Sequence, residues 1–399
     1  MSPVAPMSDR IKVPFFRPSI GDEEIDEVVA TLKGGWLTTG ERAKRFETDF
    51  SAYLGGGVEA VAVNSATAGL HLALEALGIG PGDEVIVPDL TFTASAEVVR
   101  YLGAEVKLVD VDPATLCMDI DAFVAAIGPK TKAVMPVHYG GLACDLDRIS
   151  AIAADNGIEI VEDAAHALPT RWKGKLIGAH GTAATVFSFY ANKTITTGEG
   201  GMLVTPRADI AERARIMRLH GIDRDALDRF RKPGAGWRYD IVAPGFKYNL
   251  SDLAAAVGVR QLQKADALAA QREAIAEQYL EAFADLPVRL PVRGEQGGHS
   301  WHLFVIRLDA DAPVDRDEFI ARFTELGIGT SVHYAPLHQM TYWRERYGLK
   351  AADFPVSEDV FRTLVTLPLF PSMSAAEVDT VIAAVRETLS VPARAASQA

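Results

Sequence analysis

The sequence predicts an α/β protein: a mostly parallel central sheet with helices on both faces, followed by a smaller C-terminal α+β domain. Three observations predict this. Short apolar runs of strand length alternate with stretches whose apolar residues recur at helical spacing. The runs are apolar at nearly every position, as expected of strands buried on both faces, and such strands belong to parallel sheets linked by crossover helices. Past Pro244 the texture changes to a long proline-free helical stretch and then to shorter mixed elements.

In chain order, "EAVAV" at 59–63 reads as a short buried strand, and "SATAGLHLALEALG" after it opens on a serine, keeps a helical apolar period and stops at a glycine. That is one strand–helix unit. The pattern repeats as "DEVIVP" with "TASAEVVRYLG", then "AEVKLVDV", then "KAVMPVH" with "DLDRISAIAADNG", and then "IEIVEDAA". Two further apolar runs, "AATVFSF" and "GMLVT", extend the sheet. "DLAAAVGVRQLQKADALAAQREAIAEQYLEAF" reads as one connecting helix, and "WHLFVIRL" with "FPVSEDVFRTLVTLPLF" as parts of the smaller domain. The expected division is a tail at 1–12, a large domain at 13–250, a connecting helix at 251–286, a small domain at 287–390 and a tail at 391–399.

Composition excludes several function classes. The 399 residues are 48% hydrophobic and 23% charged, which suits an ordinary globular chain with a large core. A formal charge of −13 argues against nucleic acid or an anionic membrane as partner, because phosphate binding needs clustered Lys and Arg. Two cysteines, Cys117 and Cys144, supply neither a disulfide framework nor a zinc set, so no metal site is expected. The start "MSPVAPMSDR" lacks an apolar signal core, and no run approaches the ~20 apolar residues of a membrane helix. The expected location is the cytoplasm.

Ligands of open α/β sheets sit at the carboxyl ends of the strands. After "EAVAV" come Asn64 to Gly69, small residues with Ser65 and Thr67, which suit a phosphate cradle at a helix N-terminus. Taken alone, they suit a simple Ser/Thr cap better. After "IEIVE" comes Asp163, a carboxylate that burial would make costly unless a cation or strong donor meets it. In "VFSFYANKTITTGEGG", Lys193 stands between an aromatic-rich apolar run and a glycine loop, five residues past Ser188. One ligand accounts for all four features. Pyridoxal 5′-phosphate (PLP) needs donors for its phosphate, an acid at its pyridine nitrogen and an amine for its aldehyde. Such a lysine reacts only when neutral, so a partly desolvated pocket is expected to depress its pKa.

The segments "NSATAGLHLAL", "DLTFTASA", "VEDAAHA", "FSFYANKTITTGEGGMLVT" and "GFKYNLSDLAAAVGVRQLQ" together resemble the DegT/StrS-type sugar aminotransferases, PLP enzymes of fold type I that aminate nucleotide-linked keto sugars. The likeness runs from about Val13 to about residue 388. Within the group, "SATAG", "EDAAHA" and "GFKYNLSD" are most similar to the aminotransferase of the 4-amino-4-deoxy-L-arabinose pathway and to others acting at sugar C4.

The resemblance implies a role for each matching position. Lys193 would bond the cofactor's aldehyde and move protons, and Asp163 would hold the pyridine nitrogen. His166 would reach the ring hydroxyl side. Phe92, otherwise a core residue by its type, would stack on the ring. Ala66, Thr67 and Ser188 would bind the phosphate, and Asn249 would reach the phosphate held by the neighbouring subunit, making the sites shared within a homodimer. His333 and the segment Trp36 to Gly40, with Thr38 and Thr39, would approach the sugar nucleotide. Phe92 stands where many relatives have Trp or Tyr, and Ala191 where many have Pro; both departures bear on substrate choice. The implied reaction is ping-pong: L-glutamate gives up its amino group in one half and a nucleotide-linked 4-keto sugar takes it in the other. Dehydratases of the same group replace the lysine with histidine, which Lys193 argues against. An aminotransferase on a cyclitol ketone, and a non-catalytic regulator keeping the fold, stay open as alternatives.

Overall fold

A computed structural model describes residues 12–223, 239–294 and 298–390. The expected tails, apart from Lys12, lie outside the described residues. The chain opens with α1 (Asp22–Gly34) and α2 (Glu41–Tyr53) and then enters the sheet. Strand β1 (Glu59–Val63) leads into α3 (Ala66–Ala76), β2 (Glu84–Pro88) into α4 (Ala94–Tyr101), and β3 (Glu105–Val109) into α5 (Ile120–Ala126). β4 (Thr131–Val134) and α6 (Leu146–Asn156) precede β5 (Glu159–Asp163), and a short hairpin of β6 (Arg171–Trp172) and β7 (Lys175–Leu176) follows. β8 (Ala184–Ser188), β9 (Gly201–Thr205) and α7 (Ala208–Met217) complete the sheet and its cover.

The helices stop and start where the local chemistry says they should. Ser65 and Asp145 cap α3 and α6 by accepting from the amides of Ala68 and Arg148, and Gly157 ends α6 in the left-handed conformation at φ 63°. The strand order is β1-β9-β8-β5-β4-β2-β3, parallel throughout except that β9 runs against both of its neighbours. Alternate residues of one strand feed opposite cores: Ile86 and Ile160 pack on one side of the sheet, Val85, Val87 and Val161 on the other. This is why the strands read as continuous apolar runs. Cys117 and Cys144 are buried free thiols.

The stretch expected to be one connecting helix is two. α8 (Asp252–Gln263) and α9 (Ala265–Ala282) meet at Lys264. Their packing explains the break. The buried Asp252 carboxylate accepts from the amides of Gly40 and Ala43 at 2.8 and 3.0 Å, so α8 caps α2 and lies along it. At Gly258 a Cβ would sit 2.7 Å from the Phe46 ring, so only glycine allows that approach. α9 instead sends Ile275, Tyr279 and Phe283 into a separate core. That core is built on an antiparallel sheet of β10 (Val288–Arg289), β11 (Phe304–Leu308) and β12 (Leu364–Leu367), with α10 (Arg316–Leu326) and α13 (Ala375–Ser390) packed on it. Between them α11 (Thr341–Tyr347) and α12 (Pro355–Thr363) face the large sheet; Asp110, just past β3, accepts from the first amides of α12. Among the described residues no helix is long and apolar enough to cross a membrane.

Candidate active site

Crossover connections bring the carboxyl ends of β1, β2, β5 and β8 to one edge of the sheet, and a cavity of about 470 Å³ opens there. Ala66, Thr67, Phe92, Asp163, His166, Ser188, Lys193 and His333 all line it, although they come from five separated segments of the chain. Ala66 and Thr67 are the first residues of α3, whose leading amides have no acceptor within the helix and whose dipole is positive at this end. Ser188 ends β8. The antiparallel β9 lies between these two, pairing Gly201 with Val63 on one side and with Ser188 on the other. A Cβ on Gly201 would come within 2.7 Å of the Ala66 amide nitrogen, so glycine there keeps the helix start in place. Phe92 is 56% exposed, whereas Leu90 and Thr91 before it are buried. Its type alone suggested core; the turn into α4 instead stands its ring at the cavity mouth, 5.8 Å from Tyr334.

Asp163 and Lys193 are the charged centre. The Asp163 carboxylate is buried and held from two sides, by the Ser95 hydroxyl at 2.7 Å and the Ala165 amide at 3.0 Å. Lys193 opens partly to the cavity, but protein surrounds its amine. This desolvation pushes its pKa down to about 7, against the pull of Asp163 and with the help of the Arg272 charge. At neutral pH a large fraction of the amine is therefore uncharged. His166 accepts from the Gly140 amide at Nδ1 and so donates through Nε2 to the Tyr334 hydroxyl at 3.0 Å. Burial and the nearby Lys193 hold His166 well below the usual histidine range. His333 is also pushed down, to about 4, by burial and then by Lys193.

Four expected residues lie elsewhere. Trp36, Thr38, Thr39 and Asn249 do not line the cavity of their own chain. Asn249 donates to the Thr39 hydroxyl at 2.6 Å and accepts from Lys247 at 2.7 Å; Thr39 in turn donates to the Leu250 carbonyl. An isolated antiparallel bridge between Val63 and Asn249 ties this cluster to β1, the edge strand of the sheet. Other residues of the site escaped the sequence. Tyr190, Asn192, Glu199 and Tyr334 line the cavity and Ser95 holds Asp163 from behind it; all sit inside or beside quoted motifs, yet nothing in their spacing assigns them. The one available signal is the pair Thr91 and Ser95, four apart at the start of α4, whose hydroxyls lie 2.9 Å apart and pass a hydrogen bond on to Asp163.

The donor set fits PLP. Helix amides with Thr67 and Ser188 suit a phosphate, a buried carboxylate suits a pyridine nitrogen, and an amine with a lowered pKa suits an aldehyde. A cavity of about 470 Å³ is within the range for cofactors.

Comparison with known proteins agrees. SpsC of Bacillus subtilis, a spore coat polysaccharide biosynthesis protein, is 46% identical over 378 residues, covering 94% of this chain and 96% of its own. Spr1654 of Streptococcus pneumoniae, described as a sugar aminotransferase, superposes in its PLP form with TM-score 0.87 at 35% identity over 95% of this chain and 98% of its own. PseC of Helicobacter pylori, an aminotransferase involved in the biosynthesis of pseudoaminic acid, superposes with TM-score 0.87 at 25% identity, covering 95% of this chain and 99% of its own. Residues 18–386 match the model of the DegT/DnrJ/EryC1/StrS aminotransferase family. The chain belongs to that family, and is a PLP-dependent sugar aminotransferase.

Proposed function

We propose that this enzyme moves the amino group of L-glutamate to the C4 keto carbon of a nucleotide-diphosphate-linked 4-keto sugar, in the cytoplasm, as a homodimer with shared active sites. The observation that carries the reading is a single cavity in which the depressed amine of Lys193 faces the buried carboxylate of Asp163. When bound, PLP takes up the electron pair released at the amino-bearing carbon. The chain's own residues supply the rest. Lys193 would hold the cofactor through its aldehyde and, once displaced by an amino acid, its amine would take the proton from the amino-bearing carbon and deliver it to the carbon that had borne the aldehyde. Asp163, fixed by Ser95 and Ala165, keeps a proton on the pyridine nitrogen. His166 and Tyr334 form a neutral donor–acceptor pair at the cavity wall, and the start of α3 holds the phosphate. Phe92, Tyr190, Glu199 and His333 line the outer cavity, where a sugar would enter.

The names of SpsC and PseC support a sugar product, and the C4-type wording of three sequence motifs supports the position. Amination at another keto position or of a cyclitol ketone is the second reading, favoured by Phe92 where relatives carry a larger or hydroxylated ring. The test is a panel of nucleotide-linked 3-keto and 4-keto sugars and a keto-cyclitol, each incubated with L-glutamate and scored for 2-oxoglutarate and amino product. Turnover confined to the 4-keto sugars is expected; preference for a 3-keto sugar or the cyclitol would overturn the assignment.

A further inference from the structure

His302 lies outside the substrate cavity and behind Lys193, and the function described so far does not use it. Its Nε2 is 3.3 Å from Lys193 Nζ. Its Nδ1 is buried and, among the described residues, finds no partner; so is Asn192 Oδ1, one residue before Lys193. Both side chains line the same small gap of about 10 Å³, otherwise walled by apolar Phe15, Leu303 and Leu367.

The backbone around this gap is tied down. Arg272, fully buried on α9, donates to the carbonyls of Trp301, His302 and Leu369 and, at 3.4 Å, to that of Asn192. One guanidinium thus sets the loops carrying both orphaned atoms.

We propose that His302 is a positioning residue for Lys193: its imidazole, held neutral with the proton on Nδ1, accepts a hydrogen bond from the amine at Nε2. The tautomer follows from what Lys193 must do. An ammonium only donates, so it needs an acceptor at Nε2. A neutral amine acting as base needs its lone pair free, so it also has to donate towards His302 and leave the lone pair facing the cavity. A proton on Nε2 would oppose the first state and consume the lone pair in the second. Burial opposes charging the ring, and a charged ring would also face the cations of Lys193 and Arg272. His166 packs against the same ring at a centroid distance of 4.5 Å.

The inference rests on Lys193 being the reacting amine, and the experiment separates the two ideas. Protein loaded with PMP, in which Lys193 is free, is labelled with ¹⁵N-histidine, and the His302 ring is assigned by its loss in His302→Gln. A neutral ring protonated at Nδ1 is expected; a proton on Nε2, or on both nitrogens, overturns the proposal. Kinetics give an independent reading. Glutamine places an acceptor near the Nε2 position and asparagine only near Nδ1. His302→Gln should keep kcat within about fivefold of wild type, whereas His302→Asn should lose roughly a hundredfold in kcat with KM for the keto sugar unchanged, as a misplaced reacting group does. Equal kcat in the two variants, at matched thermal stability, overturns the proposal. If His302→Asn does not fold, the wild-type spectrum still decides. Transamination at near wild-type rate by Lys193→Ala would instead sink the assignment of Lys193.

Discussion

Lys193 shows how a common residue becomes a reagent. An ordinary lysine is almost wholly charged at neutral pH; enclosure of this amine by protein, beside the Arg272 cation, brings its pKa to about 7. Because the pKa is lowered, the reactive neutral form grows as pH rises through 7 and has little left to gain above about 8. The rate at which cofactor-free protein captures PLP, followed by absorbance, should trace that curve, and Lys193→Ala should abolish the covalent spectrum. A rate that kept climbing to pH 10 would mean an unperturbed lysine. Asp163 is held by Ser95 and the Ala165 amide, a setting that neutral asparagine would occupy without change of shape. Asp163→Asn should lower kcat by roughly a hundredfold or more, about 3 kcal/mol of transition-state stabilisation, because a charge-assisted contact to the pyridine nitrogen is lost. A loss of less than about threefold would tell against that role.

At the scale of elements, the antiparallel β9 is what assembles the phosphate cradle. It inserts between β1 and β8, and its first residue, Gly201, pairs with the last residue of each. The backbone at the start of α3 lies against that glycine, so Gly201→Ala has to push the helix N-terminus outward. The expected result is PLP affinity at least about tenfold weaker in a fluorescence titration, since the helix amides are no longer aimed at the phosphate, with the far-ultraviolet spectrum unchanged. Unaltered affinity would show that the cradle lies elsewhere. The break between α8 and α9 at Lys264 is the other consequential element. α8 locks onto α2 through Asp252, and α9 turns away to build the small domain and to place Arg272 behind the active lysine.

For the whole molecule, the position of Asn249 decides what the functional unit is. Asn249 stands outside its own chain's cavity, in a cluster with Thr39 and Lys247. If it serves the phosphate of a second copy, a two-fold dimer completes both sites at once. Mixing Lys193→Ala protein with Asn249→Asp protein then gives hybrid dimers in which one site carries both defects and the other neither. At full subunit exchange activity should return towards a quarter of wild type. Exchange shown by mass, with activity no higher than in the parents, would remove Asn249 from the shared site.

Seven apolar runs were legible as the strands of the large sheet because burial on both faces leaves a local signature, and Ser65, Asp145 and Gly157 marked helix ends by local hydrogen bonding. Asp163 and Lys193 were legible for a related reason: charge directly after an apolar strand has to be answered by a ligand or a partner. The partners themselves were not. Ser95 meets Asp163 across 68 residues, His302 meets Lys193 across 109, and Tyr334 meets His166 across 168. Nor does periodicity reveal that β9 runs backwards between β1 and β8, or that one helical stretch bends at Lys264 to serve two cores. By itself the sequence determined the strands of the large sheet, the fold class and the chemical pair at the strand ends. Only the tertiary structure decided which side chains surround that pair, because spacing along the chain records burial and capping within a segment, whereas contacts between segments depend on how their faces pack.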